Sequence, residues 1–138
     1  MTEETKDLEK PVDTDQIRKI LEIGDSARMR MWLQTCASCG LCADSCFFYL
    51  ASGKDPKQVP SYKVRTTLGE MFRQKGNVTR AFLEEAKEVL WGKCTMCRRC
   101  SQYCPFGIDM ATMIALGRRV CRSQEACPPV LMLLDKYY

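Results

Sequence analysis

Cysteine spacing constrains this chain more than any other feature. Cys36, Cys39, Cys42 and Cys46 form a C-x2-C-x2-C-x3-C run, and Cys94, Cys97, Cys100 and Cys104 repeat it with Pro105 following. The same spacing twice is an internal repeat of a very specific kind. Three cysteines so close together wrap three corners of an iron–sulfur cube, and the fourth lies where the chain turns away into a helix. Eight thiolates suffice for two 4Fe–4S clusters. The competing reading is a zinc-binding structural module with four cysteines per ion. Zinc sites, however, gather cysteines as separated C-x2-C pairs rather than as a triplet with a trailing fourth. Disulfides fit less well still. The run from Met1 to Asp7 is acidic and polar and lacks the apolar segment of a secretory signal, so the thiols are expected to stay reduced.

Composition narrows the chemistry further. The chain has 138 residues, 46% of them hydrophobic, which suits one packed domain. It has no histidine. That removes Ser-His and Cys-His catalysis, His-bearing zinc sites, Rieske centres and His-ligated haem. No apolar run approaches the roughly 20 residues that span a bilayer. The formal charge of +4 treats cysteine as neutral. Eight thiolates set against two dicationic cluster cores cancel it, so the apparent basicity is no sign of nucleic-acid binding. Lys93, Arg98, Arg99, Arg118, Arg119 and Arg122 crowd the second motif. They read as compensation of cluster charge on a solvated face, with a docking patch for an acidic redox partner as the sharper alternative.

Elsewhere the pattern is helical, and no segment shows the alternation of a strand. Residues 1–12 read as a flexible N-terminal arm, 13–127 as the di-cluster domain, and 128–138 as a C-terminal segment leading into a further domain or docking on a partner. Asp13 caps a helix to Ile23 whose stripe is Ile17, Ile20 and Leu21. Gly24-Asp25 breaks the chain before a helix from Ser26 to Gln34. Residues after Cys39 stay helix-compatible to Ala51, with Gly53 as the stop, and Pro56 and Pro60 mark a loop. Val64, Leu68, Met71 and Phe72 share a helix face that stops at Gly76. Asn77 is the expected cap of the next helix, with Phe82, Ala86, Val89 and Leu90 on its face and Gly92 at its end. Asp109 caps a last long helix with Met110, Met113, Ile114, Gly117, Val120 and Cys121 in one stripe. Phe47, Phe48, Tyr49, Tyr103 and Phe106 flank the motifs and read as packing that keeps water out.

On these residues the chain resembles the α-helical ferredoxin domain of the C-type subunits of heterodisulfide reductase. It is most similar to the N-terminal domain of iron–sulfur subunits in transmembrane redox complexes of sulfate reducers. The resemblance rests on the run from Cys36 to Cys46, on the run from Cys94 to Pro105, and on Phe106-Gly107-Ile108-Asp109. It implies an all-α fold, two 4Fe–4S clusters and electron transfer in a membrane-associated complex. The implied partners are a membrane cytochrome or quinone-linked subunit and a catalytic heterodisulfide reductase-like subunit or domain. The implied place is the cytoplasmic face of the membrane, held there through those partners and without a membrane span. Iron–sulfur subunits of glycolate oxidase, glycerol-3-phosphate dehydrogenase and succinate dehydrogenase share the same idea and form the alternative. The chain departs from the pattern at Phe47, where proline is common, and ends at Tyr138 without the Cys-Cys-Gly repeats of longer relatives.

Two-cluster ferredoxins send the fourth cysteine of each motif to the other cluster. Crossing in that way gives Cys36, Cys39, Cys42 and Cys104 to one cluster and Cys94, Cys97, Cys100 and Cys46 to the other. No catalytic residue is expected in this chain alone. It has no Gly-rich phosphate loop for a nucleotide. Cys121 and Cys127 are the cysteines left over, and a redox dithiol formed from them is the enzyme alternative. A small core residue and an incidental thiol are the simpler account. A DNA-binding iron–sulfur regulator would need a helix-turn-helix and a basic recognition face, and neither is evident.

Overall fold

The computed structural model describes residues 9–23 and 26–137. Residues 1–8 of the expected arm, the Gly24-Asp25 break and Tyr138 lie outside the described residues. Helices α1 (Thr14–Glu22) and α2 (Ser26–Thr35) lead into the first cysteine motif. Asp13 caps α1 as expected, accepting a hydrogen bond from the Gln16 N–H at 2.9 Å, and Ile17, Ile20 and Leu21 are buried. Two short helices follow, α3 (Leu41–Asp44) and α4 (Phe47–Ala51). The helix-compatible stretch after Cys39 is thus broken. Cys46 is extended, with φ −88° and ψ 117°, and serves as the N-cap of α4.

Helix α5 begins at Pro60, whose missing N–H costs nothing in a first turn. It runs through Pro60–Val64, widens to a π turn over Arg65–Gly69 and closes with Glu70–Arg73. A π turn skips carbonyls that an α-helix would pair. Here the Thr66 hydroxyl donates to the Tyr62 carbonyl at 2.9 Å, and the Thr67 hydroxyl to the Lys63 carbonyl at 2.7 Å. Helix α6 is Arg80–Lys87 with a terminal π turn over Glu88–Gly92. Its cap is Thr79, which accepts from the Phe82 N–H, and not Asn77. Asn77 instead donates its backbone N–H to the Gln74 carbonyl in the turn before. The buried stripe of α6 is accordingly Leu83, Ala86 and Leu90, with Phe82 and Val89 half-buried beside it.

After the short α7 (Arg99–Gln102), α8 (Met110–Ser123) forms the axis of the molecule. It packs against α1, α5, α6 and α7. Met110, Met113, Ile114, Gly117, Val120 and Cys121 are all buried on it, as the periodicity predicts. Gly117 is there for closeness. A Cβ at that position would stand 3.1 Å from a Leu90 methyl, so a larger residue would push α6 away. The core joins these faces around Leu68, Met71, Leu83 and Ile108, each completely buried. Helix α9 (Pro129–Tyr137) buries none of its side chains, and Val130, Leu133 and Leu134 are about half exposed. No strand occurs among the described residues, and no helix is long and apolar enough to cross a membrane.

Candidate metal centre

The two cysteine motifs fold alike. In the first, Ser38 and Gly40 take left-handed φ values of +54° and +82°, on either side of Cys39. In the second, Met96 and Arg98 take +56° and +62° on either side of Cys97. Left-handed residues set in this way turn backbone N–H groups into a concavity that suits anions, iron–sulfur sites among them. The Met96 N–H already donates to the Cys94 sulfur at 3.4 Å. Gly40 adopts its conformation freely, whereas Arg98 carries a side chain that disfavours it. Arg98 is held by an ion pair to Asp109 at 2.6 Å. One helical turn then follows each loop, α3 with Cys42 and α7 with Cys100, and the two turns pack on one another. Cys46 and Cys104 come just after these turns.

Those placements sort the eight thiols into two cavities. One is lined by Cys36, Cys39, Cys42 and Cys104. The other is lined by Cys94, Cys97, Cys100 and Cys46. Three thiols in each lining come from one motif and the fourth from the other. Met110 lines both, so the two lie side by side. Cys39 and Cys97 are exposed and Cys42 is buried. Burial, aided by Cys94, Cys42 and Cys46, pushes the Cys100 thiol up to about 11. Burial also raises Cys42, while hydrogen bonds from Ser61 pull the other way.

The donors suit a cluster better than a single ion. No three of the described Cys, Asp or Glu side chains converge on one ion position. Lys63 points the same way. It is 2% exposed and makes no ion pair with a carboxylate among the described residues. Its ammonium lines the second cavity, donates to the Lys93 carbonyl at 2.6 Å and stands 3.9 Å from the Cys46 sulfur. Burial pulls it below the ordinary lysine value, and Cys46, Cys94 and Cys100 oppose that. A buried cation without a carboxylate needs negative charge beside it, and thiolates around a cluster supply that charge.

The sequence pattern does not single out Lys63. The available signal is slight: Lys63 and Thr67, both buried, lie one place before Val64 and Leu68 and so widen that apolar stripe. Other expectations need correcting. Tyr103, 57% exposed, lines neither cavity, whereas Phe47 and Phe48 line the second and Phe106 the first, with Phe47 and Phe106 still 69% and 50% exposed. Of the basic residues near the second motif, Arg118 is a structural clamp. It donates to the Leu90 and Cys94 carbonyls and lies over the Trp91 ring. Arg122 pairs with Asp135. Cys121 and Cys127 are buried away from both linings, and burial pushes Cys121 up to about 12.

Comparison with known proteins agrees with this geometry. Residues 32–108 match the family described as 4Fe-4S dicluster domain. The Hdr-like menaquinol oxidoreductase iron-sulfur subunit of Archaeoglobus profundus is 32% identical over 123 residues, 80% of this chain and 22% of that protein. The Hdr-like menaquinol oxidoreductase iron-sulfur subunit 2 of Archaeoglobus fulgidus is 31% identical over 103 residues, 66% of this chain and 18% of that protein. The chain thus spans about a fifth of the length of these relatives. No solved structure matches it. With two thiol-lined cavities side by side in an all-α frame, the chain belongs to the 4Fe–4S dicluster domain family, whose two 4Fe–4S clusters these thiols suit.

Proposed function

We propose that this chain relays single electrons inside a heterodisulfide reductase-like, membrane-associated complex. In this reading Cys36, Cys39, Cys42 and Cys104 hold one cluster, and Cys94, Cys97, Cys100 and Cys46 hold the other. The observation that carries it is the crossed lining of the two cavities. When bound, the clusters supply one-electron storage at potentials set by burial, charge and hydrogen bonds to sulfur. The chain's residues do the rest. Met110 lines both cavities, and their adjacency favours transfer between them. Cys39 and Cys97 reach the surface and offer an outlet from each. The names of the relatives favour a menaquinol-linked donor or acceptor over the glycolate or succinate alternatives. The partners proposed are a membrane cytochrome or quinone-linked subunit and a catalytic heterodisulfide reductase-like subunit or domain. Those partners hold the chain at the cytoplasmic face of the membrane. Helix α9, with its exposed apolar residues, leads into or docks on another part of that complex.

Anaerobically purified protein should contain about eight irons and eight sulfides per chain. About two zinc ions with no visible absorption would refute the reading. Cys104→Ser should perturb the cluster of the first triplet, by EPR or Mössbauer spectra calibrated with Cys39→Ser and Cys97→Ser. If Cys104→Ser instead matches Cys97→Ser, each motif holds its own cluster. Affinity capture from native membranes, read by mass spectrometry, should recover a cytochrome or quinone-linked subunit. Recovery of a flavin-dependent glycolate or succinate dehydrogenase subunit would move the chain to the alternative complex.

A further inference from the structure

The two cavities differ in charge. The lining of the first, around Cys36, Cys39, Cys42 and Cys104, contains no charged side chain. The lining of the second contains Lys63, Lys93, Arg98 and Arg99. These cations are not equivalent. Arg98 and Arg99 are exposed, Arg98 is paired with Asp109, and water and salt screen both. Lys63 is buried, and its Nζ is held between the Lys93 carbonyl at 2.6 Å, the Cys46 sulfur at 3.9 Å and the Phe48 ring at 5.1 Å. At the first cavity the nearest counterpart on the same helix is Ser61, a neutral donor to the Cys42 sulfur. Arg65 reaches the rim of that cavity through the Ser38 hydroxyl, but it is exposed.

Resting on the ligand sets proposed above, we infer that Lys63 sets the order in which the two clusters are reduced: its buried charge makes the cluster of Cys46, Cys94, Cys97 and Cys100 the first to accept an electron. Reduction adds one electron and no atom, so the charge at that site falls by one. The electron comes from a low-potential one-electron reductant in solution, or from a neighbouring redox cofactor in the complex. A fixed cation in a low-dielectric surrounding attracts the more negative reduced state more strongly than the oxidised one. The neutral donors at the other cavity act through dipoles, whose effect falls off faster with distance. The first turn of α5 therefore works in two directions, with Ser61 toward one cavity and Lys63 toward the other. Lys63 is a positioning residue for charge, since the thiols alone hold the cluster.

The test is an anaerobic potentiometric titration of the full chain carrying both clusters, followed by EPR. Cys39→Ser and Cys97→Ser assign the two signals. In the unaltered chain, the signal that Cys97→Ser alters should appear first on reduction. In Lys63→Met, similar in length but neutral, reduction of that cluster should become at least about tenfold less favourable, which is 59 mV for a one-electron couple. The other cluster should stay where it was. Lys63→Arg should restore the original order. Ser61→Ala should shift only the other cluster. Unchanged potentials in Lys63→Met with full iron content would overturn the proposal. So would a first-appearing signal that belongs to the Cys39 site, a measurement that needs no Lys63 variant and decides the matter even if Lys63→Met loses iron. A chain without eight irons, or a Cys104→Ser spectrum matching Cys97→Ser, would instead count against the ligand sets.

Discussion

Removing the Asp109 carboxylate should loosen the second cysteine motif selectively. This side chain caps α8, with Oδ1 accepting from the Thr112 N–H at 3.1 Å and from the Ser101 hydroxyl at 3.0 Å. Its Oδ2 accepts from the Thr112 hydroxyl at 2.9 Å and from the Arg98 guanidinium at 2.6 Å. One group therefore ties the axis of the fold to the loop and the turn that present Cys97 and Cys100. Loss of the cap costs about 1 kcal/mol. The half-buried Ser101 bond adds about 1 kcal/mol. The Arg98 pair adds less than about 1 kcal/mol, because Arg98 is 64% exposed in its side chain. Asp109→Ala should thus cost about 2 to 3 kcal/mol and leave Arg98 in its left-handed conformation without a tether. Asp109→Asn keeps an acceptor for the helix and should cost about 1 kcal/mol. The assay is the rate at which a chelator strips iron under anaerobic conditions. If local opening precedes release, about 2 kcal/mol corresponds to roughly 30-fold faster loss. Burial pushes this carboxyl up, but Thr112, Ser101 and Arg98 hold it below the ordinary 3.8. A depressed folded value means the contribution is present above the unfolded value and is lost as pH falls through the folded one. The ratio between variant and unaltered chain should therefore stay flat from neutral pH down to about 5. Equal rates for Asp109→Ala and the unaltered chain would refute the reasoning, as would equal rates for the Ala and Asn variants.

Gly117→Ala should change sign with its neighbour. Alone it presses a Cβ to 3.1 Å from Leu90. In a Leu90→Ala background, which itself costs about 2 to 5 kcal/mol, the same change should stabilise α8 by up to about 1 kcal/mol. Additive effects by denaturant titration would show that the two helices do not touch there. Cys121 should resist iodoacetamide in the native protein at mildly alkaline pH and react after denaturation, as read by mass spectrometry. Its folded value near 12 lies above the ordinary 9.0. Its contribution to stability is therefore complete below pH 9.0 and lost as pH rises toward 12. Cys121→Ser with Cys127→Ser should keep all the iron, and loss of iron in that double variant would place one of them among the ligands.

The sequence by itself determined what local spacing can encode. The two motifs, the caps at Asp13 and Asp109 and the stripe from Met110 to Cys121 depend on neighbours a few residues away, and each is found as read. Local pattern misleads where two local signals compete. Asn77 and Thr79 both offer a cap, and the turn after Gly76 engages the first and leaves the second to α6. The stretch to Ala51 is helix-compatible throughout, yet Cys46 is extended, and there it lines the cavity of the other motif. The crossed sets are expected by analogy with two-cluster ferredoxins, but only tertiary structure brings those thiols to shared cavities, because 47 residues separate Cys46 from Cys94 and α5 and α6 fold between them. The same holds for Lys63. A lysine beside an apolar stripe ordinarily extends its ammonium to water, and nothing within a few residues distinguishes this one. Its burial follows from packing the start of α5 against Cys46 and Lys93, partners 17 and 30 residues away in the chain.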